Sequence, residues 1–371
     1  MSVEGRVHVS ARFAAGRISS VQVASERPLV AGRLLAGRTP DEALKLLPNL
    51  YSVCGRSQAM VAAAALDAAL GEATGQAIHR RRERELAAET AAEHAFRLLL
   101  DWPRLAGQEG DIALLTRVRS LLASAPLSEA SWGTARDALI GMTEARILGT
   151  ALDTWLEQFS ASEWLDWARS GRTGVGRTLA HLASLPEFAA QETQPLTRPQ
   201  HGIFVEDIAR PALADPGFAA RPELLGAPAE CGPLARGLEQ SAVRDLARRD
   251  RMVARAFARL AEFALVLRDE TRAGRLESAV LEPGTGAAMG EMARGLLVHA
   301  VRLEGGRIAS YAIVAPTEWN FHPRGPLALE LENRPVRDAA EARRALGFAA
   351  ATLDPCVALE TELRDAEPAH A

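Results

Sequence analysis

ARGLLVHAVRLEGGRIASYAIVAPTEWNFHPRG, residues 293–325, is the stretch on which the reading of this chain turns. GLLVHAVRL and IASYAIVAP are both rich in branched and aromatic residues, as pleated, half-buried strands require. Between them EGGR sets Gly305 and Gly306 where a two-residue turn needs positive φ. The segment therefore reads as an antiparallel hairpin that runs into a Pro-led turn, PTEWN. A second hairpin stands near the other end of the chain. RVHVSARF and RISSVQVAS alternate apolar and polar residues, and AAG supplies the turn between them.

Helical patterns fill most of the space between these hairpins. Residues 59–102 are Ala-rich and helix-forming through most of their length, with a charged cluster, HRRRER, that reads as a solvated helix face. Further helices follow, broken by Gly and Pro, through ASEWLDWARSG. Residues 195–233 are rich in Pro and Gly and read as an extended connection over the surface. Beyond them Val243, Leu246, Val253, Phe257, Leu260, Ala264 and Leu267 fall close to one face of a single long helix. PLALELEN reads as a further strand and DAAEARRALGFAAATL as a further helix. The expected class is α+β, predominantly helical, with strand pairs near both ends and one domain over residues 1–371.

Composition excludes several functions. The chain has 371 residues, 24% of them charged, and a formal net charge of −4, so it carries no footprint for nucleic acid. No apolar run approaches the roughly 18 residues needed to span a bilayer, and the N-terminus lacks the apolar core of a signal peptide. Three widely spaced cysteines, Cys54, Cys231 and Cys356, do not make a disulfide framework. A reducing cytoplasm is the expected compartment.

Taken alone, each cysteine reads as a small buried hydrophobe. Their flanking segments say more. VEGRVHVSARFAAGRISSVQV, NLYSVCGRSQAMVAAAALDAALG, GPLAR, the stretch at residues 293–325 and LDPCVALE occur in the same order as five motifs of nickel–iron hydrogenase large subunits, and each resembles its counterpart. The resemblance spans nearly the whole chain, shortened in the middle, and implies that family's helical bundle with strand hairpins near both ends.

The departures from that family define the expected function. Its two Cys-x-x-Cys pairs hold a bimetallic centre. Here Cys54 and Cys356 match the first position of each pair, while Ser57 and Leu359 stand at the bridging positions. Val61 and Glu362 replace the histidine after each pair, and Arg6 replaces the histidine of the opening motif. The pattern resembles the HupK-type hydrogenase accessory proteins, which implies a non-enzyme that assists assembly of the metal centre. On that resemblance Cys54 and Cys356 are the metal ligands, and a helix N-terminus near each thiol would favour its thiolate. The cargo is an iron fragment carrying cyanide and carbonyl, held transiently. Arg294, Asp354 and Glu4 are the remaining site residues. Arg294 either hydrogen-bonds a cyanide or forms an ordinary ion pair with Asp354. Glu4 either moves protons or hydrogen-bonds the second cysteine segment. Ser57 is expected to cap a helix starting near Met60, His299 to be a satisfied core histidine and Cys231 to be structural. The implied partners are a hydrogenase large subunit or its maturation proteins, with the small subunit a further partner, and no nucleic acid or membrane. The alternative is a metal-free docking module that keeps the large-subunit surface.

Overall fold

The computed structural model describes residues 5–25, 30–51, 53–125, 128–157, 160–269 and 274–365. Glu4 lies outside them. The first expected hairpin is present as β1 (Arg6–Ala14) and β2 (Arg17–Ser25), antiparallel, with Val7 opposite Ser25 and Ala14 opposite Arg17. Val7, Val9, Ala11, Ile18 and Val23 form its buried face, the alternation that the sequence displays.

Two helices follow that position the site. Helix α1 (Gly55–Leu70), with Cys54 as its N-cap, begins five residues earlier than the expected start near Met60. Its run of small residues, Ala62 to Ala65, Ala68 and Ala69, is buried. Helix α2 (Gln76–Phe96) continues into a π-helical turn, Arg97–Asp101. A bundle of shorter helices packs beyond them around Trp155, stacked on Trp164 at 5.2 Å between ring centroids.

Residues 195–233 are not an extended surface connection. Strands β3 (Gln194–Leu196) and β4 (Ala229–Cys231) pair in parallel, and helical segments from His201 to Ala220 lie between them. Leu196, Phe204, Ile208, Ala209 and Cys231 are buried in a common core. Proline serves here at helix starts, where its missing N–H costs nothing.

The long helix expected next is two: α3 (Ser241–Arg249) and α4 (Arg251–Arg268). Asp250 separates them, accepting hydrogen bonds from the Met252 and Val253 amides as N-cap of α4. Four antiparallel strands follow in sequence order: β5 (Leu276–Glu282), β6 (Thr285–Met292), β7 (Gly295–Glu304) and β8 (Arg307–Val314). The β7–β8 pair is the expected hairpin, with Gly305 and Gly306 at φ 57° and 75°. Helix α1 lies across β5, β6 and β7.

PLALELEN is not a strand. Pro326–Leu331 form a short helix whose proline occupies the first turn. Helix α5 (Ala339–Leu353) is as expected, and β9 (Ala358–Asp365) then pairs in parallel with β1. The sheet order β2-β1-β9 thus joins segments from the two ends of the sequence. The segment after Arg6 lies beside the segment after Cys356, with Arg6 opposite Ala358.

Strand β9 gives a test. A cut after Glu362 would sever it between the Ser10–Glu362 and Ala11–Leu363 pairs. Intact mass of protein from its native cells is expected to show the strand uncut, and a chain ending at Glu362 would contradict this. An engineered truncation after Val357 should cost about 3 kcal/mol in urea unfolding, since it strips Leu359 and Leu363 from the core.

Candidate two-thiol site

Four chain segments converge on Cys54 and Cys356. Cys54 is the N-cap of α1 and is 3% exposed. Cys356 follows the C-terminus of α5, where Asp354 turns the chain with φ 59°. The two thiols are hydrogen-bond partners. That bond first, and burial second, push the Cys54 thiol well above its ordinary range. The expected lowering by a helix N-terminus is therefore overruled at Cys54. At Cys356 it has no helix to act, because β9 follows.

The PTEWN turn supplies the third segment. Thr317 Oγ1 accepts from the Cys356 amide at 3.2 Å and lies 3.1 Å from Cys356 Sγ. Asn320 of the same turn accepts from the Cys231 amide at 3.0 Å and donates to the Arg294 carbonyl at 3.2 Å. Gly295 stands where a Cβ would come within 2.3 Å of Cys231 Sγ, so glycine lets the Arg294 backbone meet the Cys231 strand. Cys231 contacts Asn320 rather than the thiol pair. Its role is structural.

Arg294 is the fourth contribution, 1% exposed. Its Nη2 donates to Glu93 at 2.9 Å and its Nε lies 3.4 Å from Asp354 Oδ1. Nη1 has no hydrogen-bond partner among the described residues. Burial works against the guanidinium's charge, but Asp354, Glu93 and both thiols outweigh it and raise its pKa. Asp354 is the hub: Arg97 lies at 2.5 Å and Arg259 at 2.8 Å. Burial opposes its ionisation, yet Arg294, Arg97 and Arg259 hold the carboxyl well below the usual range. The ion pair with Asp354 is thus present, and it leaves one corner of Arg294 unused.

Sequence reading missed the groups that surround this centre. Glu89, Glu93 and Arg97 recur at four-residue spacing, which puts them on one stripe of α2 and its continuation. Glu89 accepts from the Ser57 and Arg56 amides at 2.9 and 3.1 Å and from the Ser57 hydroxyl. Ser57 therefore lies inside α1 and caps nothing. It is Glu89, from another helix, that satisfies the helix start. Burial raises the Glu89 pKa. Arg251, Arg255 and Arg259 repeat the same spacing on α4, and all three are buried. Glu230 pairs with the first two, and Arg259 donates toward His94 Nδ1 at 3.2 Å. His94 reaches Glu262 at 2.7 Å, and Glu262 pairs with Arg236 of GPLAR at 2.5 Å. A continuous buried ionic path thus links GPLAR to Asp354. A cavity of about 10 Å³ beside Arg294, Arg259 and Asn320 has room for one water. A larger one, about 490 Å³ and mainly apolar, lies along β8 near Tyr51, Leu213 and Tyr311, and neither thiol lines it.

Among the described residues no cluster of three or more His, Cys, Asp and Glu side chains is arranged to hold a metal. Two thiols and one open guanidinium corner are what the cleft offers. Among the described residues no helix is long and apolar enough to cross a membrane.

Comparison with known proteins places the chain in a family and a fold. The family profile described as nickel-dependent hydrogenase matches residues 234–360. The chain is 34% identical to the hydrogenase expression/formation protein HoxV of Cupriavidus necator, over 92% of this chain and 93% of that one. It is 31% identical to HupK of Rhizobium leguminosarum bv. viciae over 98% of each chain. The chain belongs to the HupK/HoxV hydrogenase expression/formation proteins. Its fold is that of nickel–iron hydrogenase large subunits. The [NiFeSe] hydrogenase of Desulfovibrio vulgaris Hildenborough superposes with a TM-score of 0.59 at 15% identity, over 92% of this chain and 94% of that one. That of Dm. baculatum gives 0.55 at 16% identity, over 93% and 94%. At these identities the likeness concerns the fold. This HupK/HoxV protein thus has a large-subunit fold, with Ser57 three residues after Cys54 and Leu359 three residues after Cys356.

The buried imidazole makes a pH prediction. Burial lowers the His94 pKa to about 4, against an ordinary 6.5 in the unfolded chain. Between those values the unfolded chain takes up a proton that the native state refuses, so His94's contribution to stability falls as pH drops. The stability gap between wild type and His94→Gln should shrink by about 2 kcal/mol from pH 7 to pH 5. Urea midpoints measured across that range test this. A constant gap contradicts it.

Proposed function

We propose that this protein is a non-catalytic maturation factor and scaffold for a nickel–iron hydrogenase. It holds or protects an iron fragment, with its cyanide and carbonyl ligands, on its way to the large-subunit metal centre. The supporting observation is the buried Arg294 guanidinium beside two adjacent thiols, with Nη1 unmatched by any described residue. Such a fragment brings most of its own ligands, so two soft sulfur donors suffice to retain it. A cyanide nitrogen accepts a charge-assisted hydrogen bond, which is what an open guanidinium corner supplies. Thr317 braces Cys356 from the other side. Two thiols rather than four suit a carrier that must give its cargo up.

The partners on this reading are the hydrogenase large subunit or its maturation proteins, and the small subunit. The expression/formation role named for HoxV and HupK supports that class of partner. The work is cytoplasmic, where a reducing poise keeps the pair as thiols.

Infrared spectroscopy of protein isolated without oxygen from hydrogenase-producing cells tests the proposal. Wild-type protein is expected to show cyanide and carbonyl stretches. Cys54→Ser and Cys356→Ser should lose them together with bound iron, and hydrogenase maturation should fall. Cys231→Ser should keep them. Wild-type protein without such bands, and cysteine variants that mature hydrogenase normally, would sink the reading in favour of a metal-free docking module.

A further inference from the structure

One buried hydrogen-bonded chain has no part in the argument so far, and it ends on Cys54. Gln58 lies four residues along α1 and so on the same face as the cysteine. Its Nε2 is 3.7 Å from Cys54 Sγ, and its Oε1 is 2.9 Å from His299 Nε2 on β7. His299 Nδ1 is in turn 2.7 Å from the Tyr311 hydroxyl on β8. Gln58, His299 and Tyr311 are 1%, 0% and 6% exposed, so water does not compete for these bonds.

The chain has a polarity. Gln58 Nε2 is the donor in its contact with Cys54, so the sulfur accepts through a lone pair. A thiolate, free or metal-bound, can likewise only accept. Gln58 must therefore turn its N–H to the sulfur and its carbonyl to His299. That fixes His299 as the Nε2–H tautomer, and Nδ1 then accepts from Tyr311. Burial lowers the His299 pKa to about 3, consistent with the neutral ring this requires.

We infer that Gln58 is a positioning residue, locked by His299 and Tyr311, that aims an N–H at Cys54 and so orients its sulfur toward the cleft as a metal ligand. The inference rests on the two-thiol reading and adds to it the group that tunes one thiol. N–H bonds to ligating sulfur adjust its donor strength and direct the lone pairs left for the metal. His299 is a satisfied core histidine, as expected, but what satisfies it is a line to the site.

Two measurements on the full chain decide this, both in a Cys231→Ser background. Cadmium ion alone is titrated and read by thiolate-to-metal charge-transfer absorbance. Gln58→Leu should bind it about three- to tenfold more weakly, the loss of one hydrogen bond. Gln58→Glu should be at least as weak, because it keeps an acceptor for His299 but offers no donor to sulfur. Nitrogen-15 NMR of labelled histidine should show His299 as Nε2–H in wild type. Tyr311→Phe, which removes one hydroxyl, should shift that tautomer balance and weaken cadmium binding less than Gln58→Leu does. Should Gln58→Leu fail to fold, Tyr311→Phe and Gln58→Glu carry the test. Unchanged cadmium affinity in the variants, an Nδ1–H tautomer, or wild-type protein that takes up no cadmium would each overturn the inference. Infrared bands absent while the cadmium results hold would remove the iron cargo and leave Gln58 in its role.

Discussion

Everything around the thiol pair hangs on one carboxylate. Asp354 is fully buried, in a left-handed turn at the end of α5, and three arginines from three separate segments close on it. Arg97 comes from the end of α2, Arg259 from α4 and Arg294 from the start of β7. An isolated buried carboxylate would cost several kcal/mol to desolvate, and so would each guanidinium. Together they are tolerable, and only together. Removing any one partner leaves a buried charge without its counter-ion, which is more damaging than losing a surface pair. Because Cys356 follows two residues later, the constraint that fixes Asp354 also fixes where that thiol can stand.

The same electrostatics explain why so much charge is buried in so helical a protein. Arg251, Arg255 and Arg259 occupy one side of α4, and each has a buried acid opposite it: Glu230 for the first two, Asp354 for the third. Glu330 adds a further partner to Arg255. Burial alone would push Glu230 up, but Arg255 and Arg251 bring it down to about 2, so it is ionised at neutral pH. The path from Arg236 through Glu262, His94 and Arg259 to Asp354 makes GPLAR and DPC parts of one packed unit despite their distance in sequence.

Where side-chain chemistry repeats with a structural period, the sequence was legible. Both hairpins could be read because one face of each is apolar and the turn carries residues that accept positive φ. The convergence of Cys54, Cys356, Arg294 and Asp354 was legible only through motif order, since nothing local links residue 54 to residue 356. Strand β6, TGAAMGEM, was missed because it is buried on both faces and built from small residues, which do not alternate and have little strand preference. Strand β9 was missed for the opposite reason: its residues are mostly polar and largely exposed, so no apolar face marks it. PLALELEN alternates like a strand, but tertiary packing buries it as one turn of helix. The charged stripes on α2 and α4 were visible at four-residue spacing. They were passed over because charge on a helix usually faces water.

The residues that stand three positions after Cys54 and Cys356 are both engaged in the fold itself. Ser57 follows Cys54 by three residues, yet its hydroxyl and amide are both taken by Glu89, which also holds the Arg56 amide. The hydroxyl gives its proton to the Glu89 carboxylate. Its carboxylate partner satisfies the first turn of α1, a task the Cys54 side chain does not perform as N-cap. Leu359 follows Cys356 by three residues and belongs to β9, opposite Val7, where it packs on the main core. Restoring cysteine at residue 57 would leave Glu89 facing a thiol, a far weaker donor than the hydroxyl it now binds. Restoring it at residue 359 would put sulfur into a strand that pairs away from the cleft. Both second positions now serve the fold, and both first positions still face each other. These neighbours engage Ser57 and Leu359 in the fold and leave Cys54 and Cys356 beside each other.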